Sequence, residues 1–517
     1  MSKRPSLKIN AISNWASLLV HIMVGFFLTP FIISHLGQNG YGIWTLVGSF
    51  IGYYGLLNLG VGSAITRYIA RYSAQNDIKN LNDVANTALA MFCVTGLLAV
   101  IISFFVAEPL ALFFKVTPEH FIEFKRIVWV LGISTGLSFP SGVFGAMITA
   151  RERYVALNIV NILVTLLRTG LTIMILLAGH GLAGIAYPTL AATVVSILAF
   201  MLLTKRIVPE FQIRFDRADI AVLKMLLVYG SFTTIISIAD ILRLKLNSIV
   251  IGRMVGMAEV GVYGVAALLV NYMLSIVSSG MGVLTPRFAA LDSAENRKEL
   301  QDTFLNSLSI SSFIACGIGL MVLLFGDTFI FLWVGKDFEA AVTVLSILSV
   351  SYMFALSQSP GIGLMYALNK HRYYAAATMI EAIANVMLSI LLAPRYGIVG
   401  VAMGTAIPMV LIKFFVQPLY VSYIAGIRLR DYAKSIIPAF GVVIVMLLAH
   451  CGLCHVAEFG KDVSSYSILA IWIMVSSVIY FFLILSCSPN VRKLAISFIP
   501  KSLIVKLLLQ PRSSHNG

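Results

Sequence analysis

Ala90-Met91-Phe92-Cys93-Val94-Thr95-Gly96-Leu97-Leu98-Ala99-Val100-Ile101-Ile102-Ser103-Phe104-Phe105-Val106 runs without a charge. Apolar and polar residues do not alternate along it, as they would on a strand of an outer-membrane barrel. Backbone groups in lipid must pair within their own segment, so an unbroken apolar run of this kind reads as helix. Val194–Leu203 reads the same way, and comparable runs recur from end to end. Each is extended by its flanks to about the 20 apolar residues that a spanning helix needs. Hydrophobic residues make up 59% of the 517 and charged ones only 11%, where a soluble chain carries about 25% charged residues. The chain is therefore an all-α, polytopic integral membrane protein rather than a soluble domain with one anchor.

Working outward from this stretch gives about fourteen transmembrane helices, with cores at 11–36, 41–62, 85–107, 127–149, 155–178, 182–203, 222–244, 260–284, 303–325, 340–366, 374–393, 398–424, 435–454 and 466–486. The first follows Lys3, Arg4 and Lys8 like a signal peptide. Its apolar part is too long for a signal core and no small-residue cleavage site follows, so it reads as a retained helix. With the N-terminus placed inside, twenty-six of the 37 Lys and Arg residues fall in inner segments, seven in outer loops and four within spans. Basic residues collect on the cytoplasmic side. This sorting predicts a multi-pass protein of the bacterial plasma (inner) membrane with both termini cytoplasmic. The net charge of +15 is then attraction to anionic headgroups, and no nucleic acid partner is expected.

The sequence also repeats itself. Gly40-Tyr41-Gly42 opens span two and Arg67 closes it; Gly261-Val262-Tyr263-Gly264 opens span eight and Arg287 closes it. Arg153-Tyr154 before span five matches Arg372-Tyr373 before span eleven. Gly181-Leu182-Ala183-Gly184-Ile185-Ala186 matches Gly397-Ile398-Val399-Gly400-Val401-Ala402. The offsets stay between 216 and 222 residues. Six spans per copy is an even number, so the copies share one orientation, the parallel-repeat plan of many transporters. The expected organisation is a six-helix repeat at 1–206, a second at 207–427, and two extra C-terminal helices with a tail at 428–517.

The N-terminal stretch reads Leu28-Thr29-Pro30-Phe31-Ile32-Ile33-Ser34-His35-Leu36-Gly37. It goes on through Tyr41-Gly42-Ile43-Trp44 and Tyr54-Gly55-Leu56-Leu57-Asn58-Leu59-Gly60-Val61-Gly62 to Arg67-Tyr68-Ile69-Ala70-Arg71-Tyr72. This resembles the start of the Wzx-type oligosaccharide flippases of the MATE-like (MOP) superfamily, and the plan of twelve duplicated spans plus two resembles that family over nearly the whole chain. The resemblance implies alternating access around a hydrated cavity. The implied cargo is an undecaprenyl-diphosphate-linked oligosaccharide repeat unit, carried toward O-antigen, capsule or exopolysaccharide. The implied partners are that lipid-linked cargo, membrane lipids and other polysaccharide assembly proteins. No enzyme activity, cofactor or metal is implied, and an H+ or Na+ gradient is the expected drive. The chain lacks a G-x-x-x-x-G-K-[ST] loop, the device for cradling ATP phosphates. A MATE-type drug or cation antiporter shares the duplicated plan, but would more naturally put acidic residues in its cavity. A membrane polymerase or ligase would be expected to present a sizeable loop; the longest outer one here is read as Glu108 to Arg126.

Ionisable residues inside spans are costly in lipid and mark substrate or ion paths. Six stand out: Arg168 in span five, Asp240, Arg243 and Lys245 in span seven, Glu381 in span eleven and Lys413 in span twelve. Asp240 and Arg243, three apart, can pair on one face. Lys245 lies about 200° round from Arg243, and both cations are placed near a boundary where they could snorkel. Glu381 can pair with a cation or carry a proton. Arg suits a diphosphate or an acidic sugar through bidentate contacts. His21 in span one reads as a helix-interface residue, and Arg67 and Arg287 as headgroup anchors. Gly179-His180-Gly181-Leu182-Ala183-Gly184 fits G-x-G-x-x-G but lacks a strand before it, so it reads as a turn. Cys451-Gly452-Leu453-Cys454-His455 fits the haem-attachment pattern C-x-x-C-H; a local disulfide or two plain thiols are the other readings.

Overall fold

The structure is a computed structural model that describes residues 7–281, 284–370, 372–457, 465–489 and 491–492. Among these residues there is no strand. Eleven helices are long and apolar enough to cross a membrane. Two of them hold two crossings each. The helix Leu7–Gly52 breaks at Gly37 (φ 67°) and Arg372–Leu411 breaks at Gly397 (φ 57°). Ile220–Met254 adds the seventh crossing, which gives fourteen in the described residues. This is a multi-pass membrane protein.

Several boundaries differ from the sequence reading. The stretch 108–126 is not a long loop: helix runs on to Phe113 and restarts at Pro118. The amphipathic ends of these helices dilute the apolar signal without ending the helix. Span seven continues to Met254, so Lys245 stands nine residues inside its end, or about 14 Å. Span two ends in a 3-10 turn, Tyr53–Asn58, and a separate helix follows at Val61–Ala74. That helix buries Val61, Ala64, Ile65 and Ile69, the i, i+3/i+4 stripe of an amphipathic helix. Arg67 lies on its exposed side, with its guanidinium 4.8 Å from the ring centre of Tyr229. The second repeat has the same device: Leu284–Ser293 follows span eight, buries Phe288 and Leu291, and carries Arg287.

By contacts the chain forms two compact units. The first comprises residues 1–272, 333–344 and 375–408. Its core gathers Ile65, Ile69, Leu81, Phe92, Val143 and Met147 with their neighbours. In lipid the helices gain little from hydrophobicity and are held by close packing and hydrogen bonds. One polar device stands out. Asn82 and Asn86, buried on span three, each clamp the linker between the repeats. Asn82 donates to the Glu210 carbonyl (3.0 Å) and accepts from the Gln212 amide (2.8 Å). Asn86 repeats the pattern on Gln212 (2.9 Å) and Arg214 (2.7 Å). Thr87 then accepts from the Asp219 amide (3.0 Å). The linker backbone is thereby satisfied as if by a neighbouring strand, which is what buried peptide groups demand.

The second unit comprises residues 273–332, 345–374 and 409–517. Phe288, Phe304, Leu364, Val421 and Tyr432 form its core. Span fourteen, Tyr466–Cys487, is fixed here by Tyr480, which stacks on Phe313 at 5.4 Å and donates to the Phe313 carbonyl (2.9 Å). The C-x-x-C-H motif falls near the end of the helix Leu429–Ala457. Cys451 is an exposed free thiol, while the side chains of Cys454 and His455 lie outside the described residues.

Candidate functional site

The turn glycines have a plain explanation. Gly179 and Gly181 have φ of 77° and 58°, and Gly397, the repeat counterpart of Gly181, has 57°. Only a residue without a Cβ adopts these angles freely, so the G-x-G-x-x-G match marks a tight turn between spans.

Within the first unit, helices of both repeats meet at the end that charge sorting puts outside. A Cβ on Gly42 would stand 1.8 Å from the Met257 carbonyl oxygen and 3.2 Å from the Gly261 nitrogen. One on Gly261 would stand 2.8 Å from the Gln38 carbonyl oxygen. Two glycines of the matched motifs therefore lie against each other. Small residues let backbones approach this closely. The Gln38 side chain donates to the Asp337 carbonyl, and Trp333 donates to the Phe26 carbonyl (2.7 Å) while stacking on its ring.

Deeper in the same unit lie three of the six predicted residues. Arg243 bridges two carboxylates: Nη2 is 3.0 Å from Asp240 Oδ1, and Nη1 is 3.5 Å from Glu381 Oε1. Helix spacing sets the first contact; the second joins spans seven and eleven. The Glu381 side chain is only 1% exposed, whereas that of Asp240 is 45% exposed. The remaining oxygen of Glu381 is buried without a hydrogen-bond partner. Amides and hydroxyls surround the group. Asn247 donates to Tyr263 (2.8 Å) and Thr405 (2.9 Å), and Ser389 donates to Asn385 (2.9 Å). Asn247 and Asn385 escape a reading that starts from ionisable groups, because an amide carries no charge. Their signal would have been their rarity in such spans. Lys245, on the other side of span seven, lays its aliphatic stem over Gly52.

Arg168 lies elsewhere in the first unit. It lines a cavity of about 160 Å³ between spans four, five and six, with Ser138, Ser141, Thr165, Thr189, Thr193 and Ser196.

Lys413 belongs to the second unit and is 2% exposed. It sits in a π-helical turn, Ile412–Val416, just before Pro418, which has no amide hydrogen and crowds the carbonyl four residues back. Span ten breaks at Gln358, before Pro360. The two breaks cap each other. Gln358 donates to the Lys413 carbonyl (2.6 Å) and Gln417 donates to the Gln358 carbonyl (3.0 Å). Lys413 Nζ donates to Gln417 (3.0 Å), and Tyr432 donates to the Gln358 side chain (2.9 Å). The ammonium also stands 5.1 Å from the Tyr374 ring centre, a favourable place for a cation. This setting is closed, and the lysine is enclosed by protein partners. The six candidates thus fall into four places and do not form one cluster.

The family described as Polysaccharide biosynthesis protein matches residues 36–343. The chain belongs to that family. The chain is 22% identical over 506 residues to the membrane protein EpsK of Bacillus subtilis, covering 94% of this chain and 97% of EpsK. It is 20% identical to a putative O-antigen transporter of Shigella flexneri, covering 80% of this chain and 97% of that one. Among solved structures it is similar to the lipid II flippase MurJ in an inward closed conformation, with a TM-score of 0.69 and 16% identity over 92% of this chain and 99% of MurJ. An inward-facing MATE multidrug transporter of the MOP superfamily aligns with a TM-score of 0.66 and 17% identity, over 80% and 98%. These likenesses show that the chain shares its fold with both of those structures.

Proposed function

We propose that this chain is a flippase that carries undecaprenyl-diphosphate-linked oligosaccharide repeat units across the bacterial plasma membrane for surface polysaccharide synthesis. Membership of the polysaccharide biosynthesis family carries the reading. A relative named for O-antigen transport over 80% of the chain supports it. Lys and Arg distribution supports cytoplasmic termini. The two parallel repeats, 1–206 and 207–427, are the moving halves in this reading, with 428–517 as an added element. The closure around Gly42 and Gly261 is the barrier that parts to release cargo outward.

The drive we propose is an ion gradient, with Glu381 as its coupling group. A buried carboxylate with one unsatisfied oxygen and one arginine contact has two states to offer, pairing with Arg243 or taking up a cation such as H+. Deleting the gene in a strain without a redundant flippase is expected to leave lipid-linked repeat units facing the cytoplasm. Units that still reach the outer leaflet would refute the reading. In vesicles, collapsing the proton and sodium gradients is expected to slow transport by the wild type and to have little further effect on Glu381→Gln. Wild-type rates that ignore both gradients would remove the coupling.

A further inference from the structure

Spans ten and twelve break side by side in the second unit, and side chains from other helices hold both breaks. Pro360 has no amide hydrogen, so the Leu356 carbonyl four residues back loses its helical donor. Ser311 of span nine donates to that carbonyl instead (2.7 Å) and lies 2.9 Å from the Ser359 hydroxyl, across the break. In span twelve the Gln417 amide reaches back five residues to the Ile412 carbonyl. The Lys413 carbonyl is then left to the amide of position 418, which is a proline. Gln358 supplies the missing donor (2.6 Å). Irregular backbone at membrane depth is tolerated where protein satisfies it in this way.

We infer that the paired breaks are a hinge inside the second unit, with Lys413 as its latch; the inference concerns motion within that unit and stands whatever the cargo. Two further helices of the unit are softened near the same level. Span nine carries Ser307, Ser309 and Ser312 around Ser311, each donating to the carbonyl four residues back (2.7, 3.1 and 2.8 Å), a bond that bends helices. Span thirteen, whose Tyr432 donates to Gln358, holds Pro438 within the helix Leu429–Ala457, and proline is a common cause of kinks.

Beyond the breaks, toward the end that charge sorting puts inside, the chain packs as one cap. The core of Phe288, Phe304, Leu364, Val421 and Tyr432 joins the helices Leu284–Ser293, Ser359–Ala367 and Gln417–Ala425. A Cβ on Gly363 would stand 2.9 Å from the Thr285 hydroxyl, and one on Gly361 would stand 3.3 Å from the Gln417 amide nitrogen, so these helices are pressed together. A hinge concentrates its φ/ψ change in a few element-terminal residues. Gln358 and the π-helical turn 412–416 are such positions. Lys413 fastens the bend by donating from the turn to Gln417 in the cap (3.0 Å). A neutral amide and the Tyr374 ring hold its ammonium, with no carboxylate among the described residues. The latch can therefore release without stranding a buried anion.

The test measures distances between paired spin labels on the full chain in liposomes, with its five cysteines replaced by alanine. One pair, Tyr423→Cys with Leu448→Cys, straddles the hinge, and both positions are exposed. The other, Ser293→Cys with Tyr423→Cys, lies within the cap. Two distances are expected for the straddling pair and one for the pair within the cap. Pro360→Ala with Pro418→Ala restores both amide hydrogens and lets the helices heal, so the straddling pair should collapse to one distance. Lys413→Met keeps the stem and removes the ammonium. It should deplete the latched distance about fivefold relative to the other, the weight of one hydrogen bond. A single straddling distance before the prolines are replaced overturns the hinge, as do two that survive their replacement. Two distances within the cap overturn its motion as one body. Should the double proline variant fail to fold, Lys413→Met decides: a shifted ratio supports the inference and an unchanged one overturns it.

Discussion

The first and fifth helices of the two repeats carry their charges in opposite ways. In the second repeat Arg243 on span seven meets Glu381 on span eleven. In the first, His21 stands 222 positions before Arg243, the same offset that relates the glycine motifs of spans two and eight. On span five of the same repeat stands Arg168. One repeat encloses base with acid and closes its own electrostatics. The other leaves an arginine lining a cavity. The spans expected to correspond thus hold an ion pair in one case and an arginine that lines a cavity in the other.

The comparison is broken most directly by removing one arginine from each repeat. Arg243→Ala leaves Glu381, 1% exposed, without its counter-charge. Losing one partner of a buried pair costs about 3–5 kcal/mol, so a large fall in the unfolding temperature in detergent is expected. Removing the acid as well, in Arg243→Ala with Glu381→Gln, should return a good part of it. Arg168→Gln breaks no pair and should stay within about 1 kcal/mol of the wild type, the range of substitutions outside the named destabilising mechanisms. Equal losses for Arg243→Ala and Arg168→Gln would dissolve the contrast.

A smaller effect tests the contact between the repeats. Gly42→Ala drives a methyl to 1.8 Å from a backbone oxygen, and Gly261→Ala drives one to 2.8 Å from another. Backbone cannot swing away as a side chain can, and overpacking costs about 1–3 kcal/mol. Gly42→Ala should therefore lose more stability than Gly261→Ala in the same thermal assay. The reverse order would show that span eight, rather than span two, is the side that yields.

The span count and the turn glycines were legible because each rests on a local signal. Apolar length marks a crossing, and a glycine is forced wherever the backbone needs positive φ or close approach, so Gly181 and Gly397 recur in register. The Asp240–Arg243 pair was legible for the same reason, since three residues on a helix fix the geometry. What could not be read was long-range. Nothing in the sequence joins Glu381 to Arg243 across 138 residues, or shows Gln358 and Gln417 capping each other's broken helices. The amphipathic helices Val61–Ala74 and Leu284–Ser293 were missed because their half-apolar composition falls between that of a span and that of a loop.

The smallest expected effect lies at the start of the third helix of each repeat, where the copies differ by a single atom type. Asp77 caps span three, its carboxylate accepting from the Asn80 amide (3.1 Å) and the Asn80 side chain (2.6 Å). Asn296, 219 positions later, caps span nine by accepting from the Glu299 amide (3.3 Å). The backbone and side-chain bonds from Asn80 hold the Asp77 carboxyl below its usual range. A depressed carboxylate stabilises the fold above its ordinary pKa, and that contribution is lost as pH falls through the lowered value. Acidification to below about pH 4 should therefore weaken the start of span three, seen as faster amide hydrogen exchange over its first turn. Protonation removes nothing from Asn296 itself, so the first turn of span nine should respond less. Asp77→Asn should give span three the pH response of span nine at little cost near neutrality, because both residues are strong caps. An unchanged acid response in Asp77→Asn would place the sensitivity elsewhere.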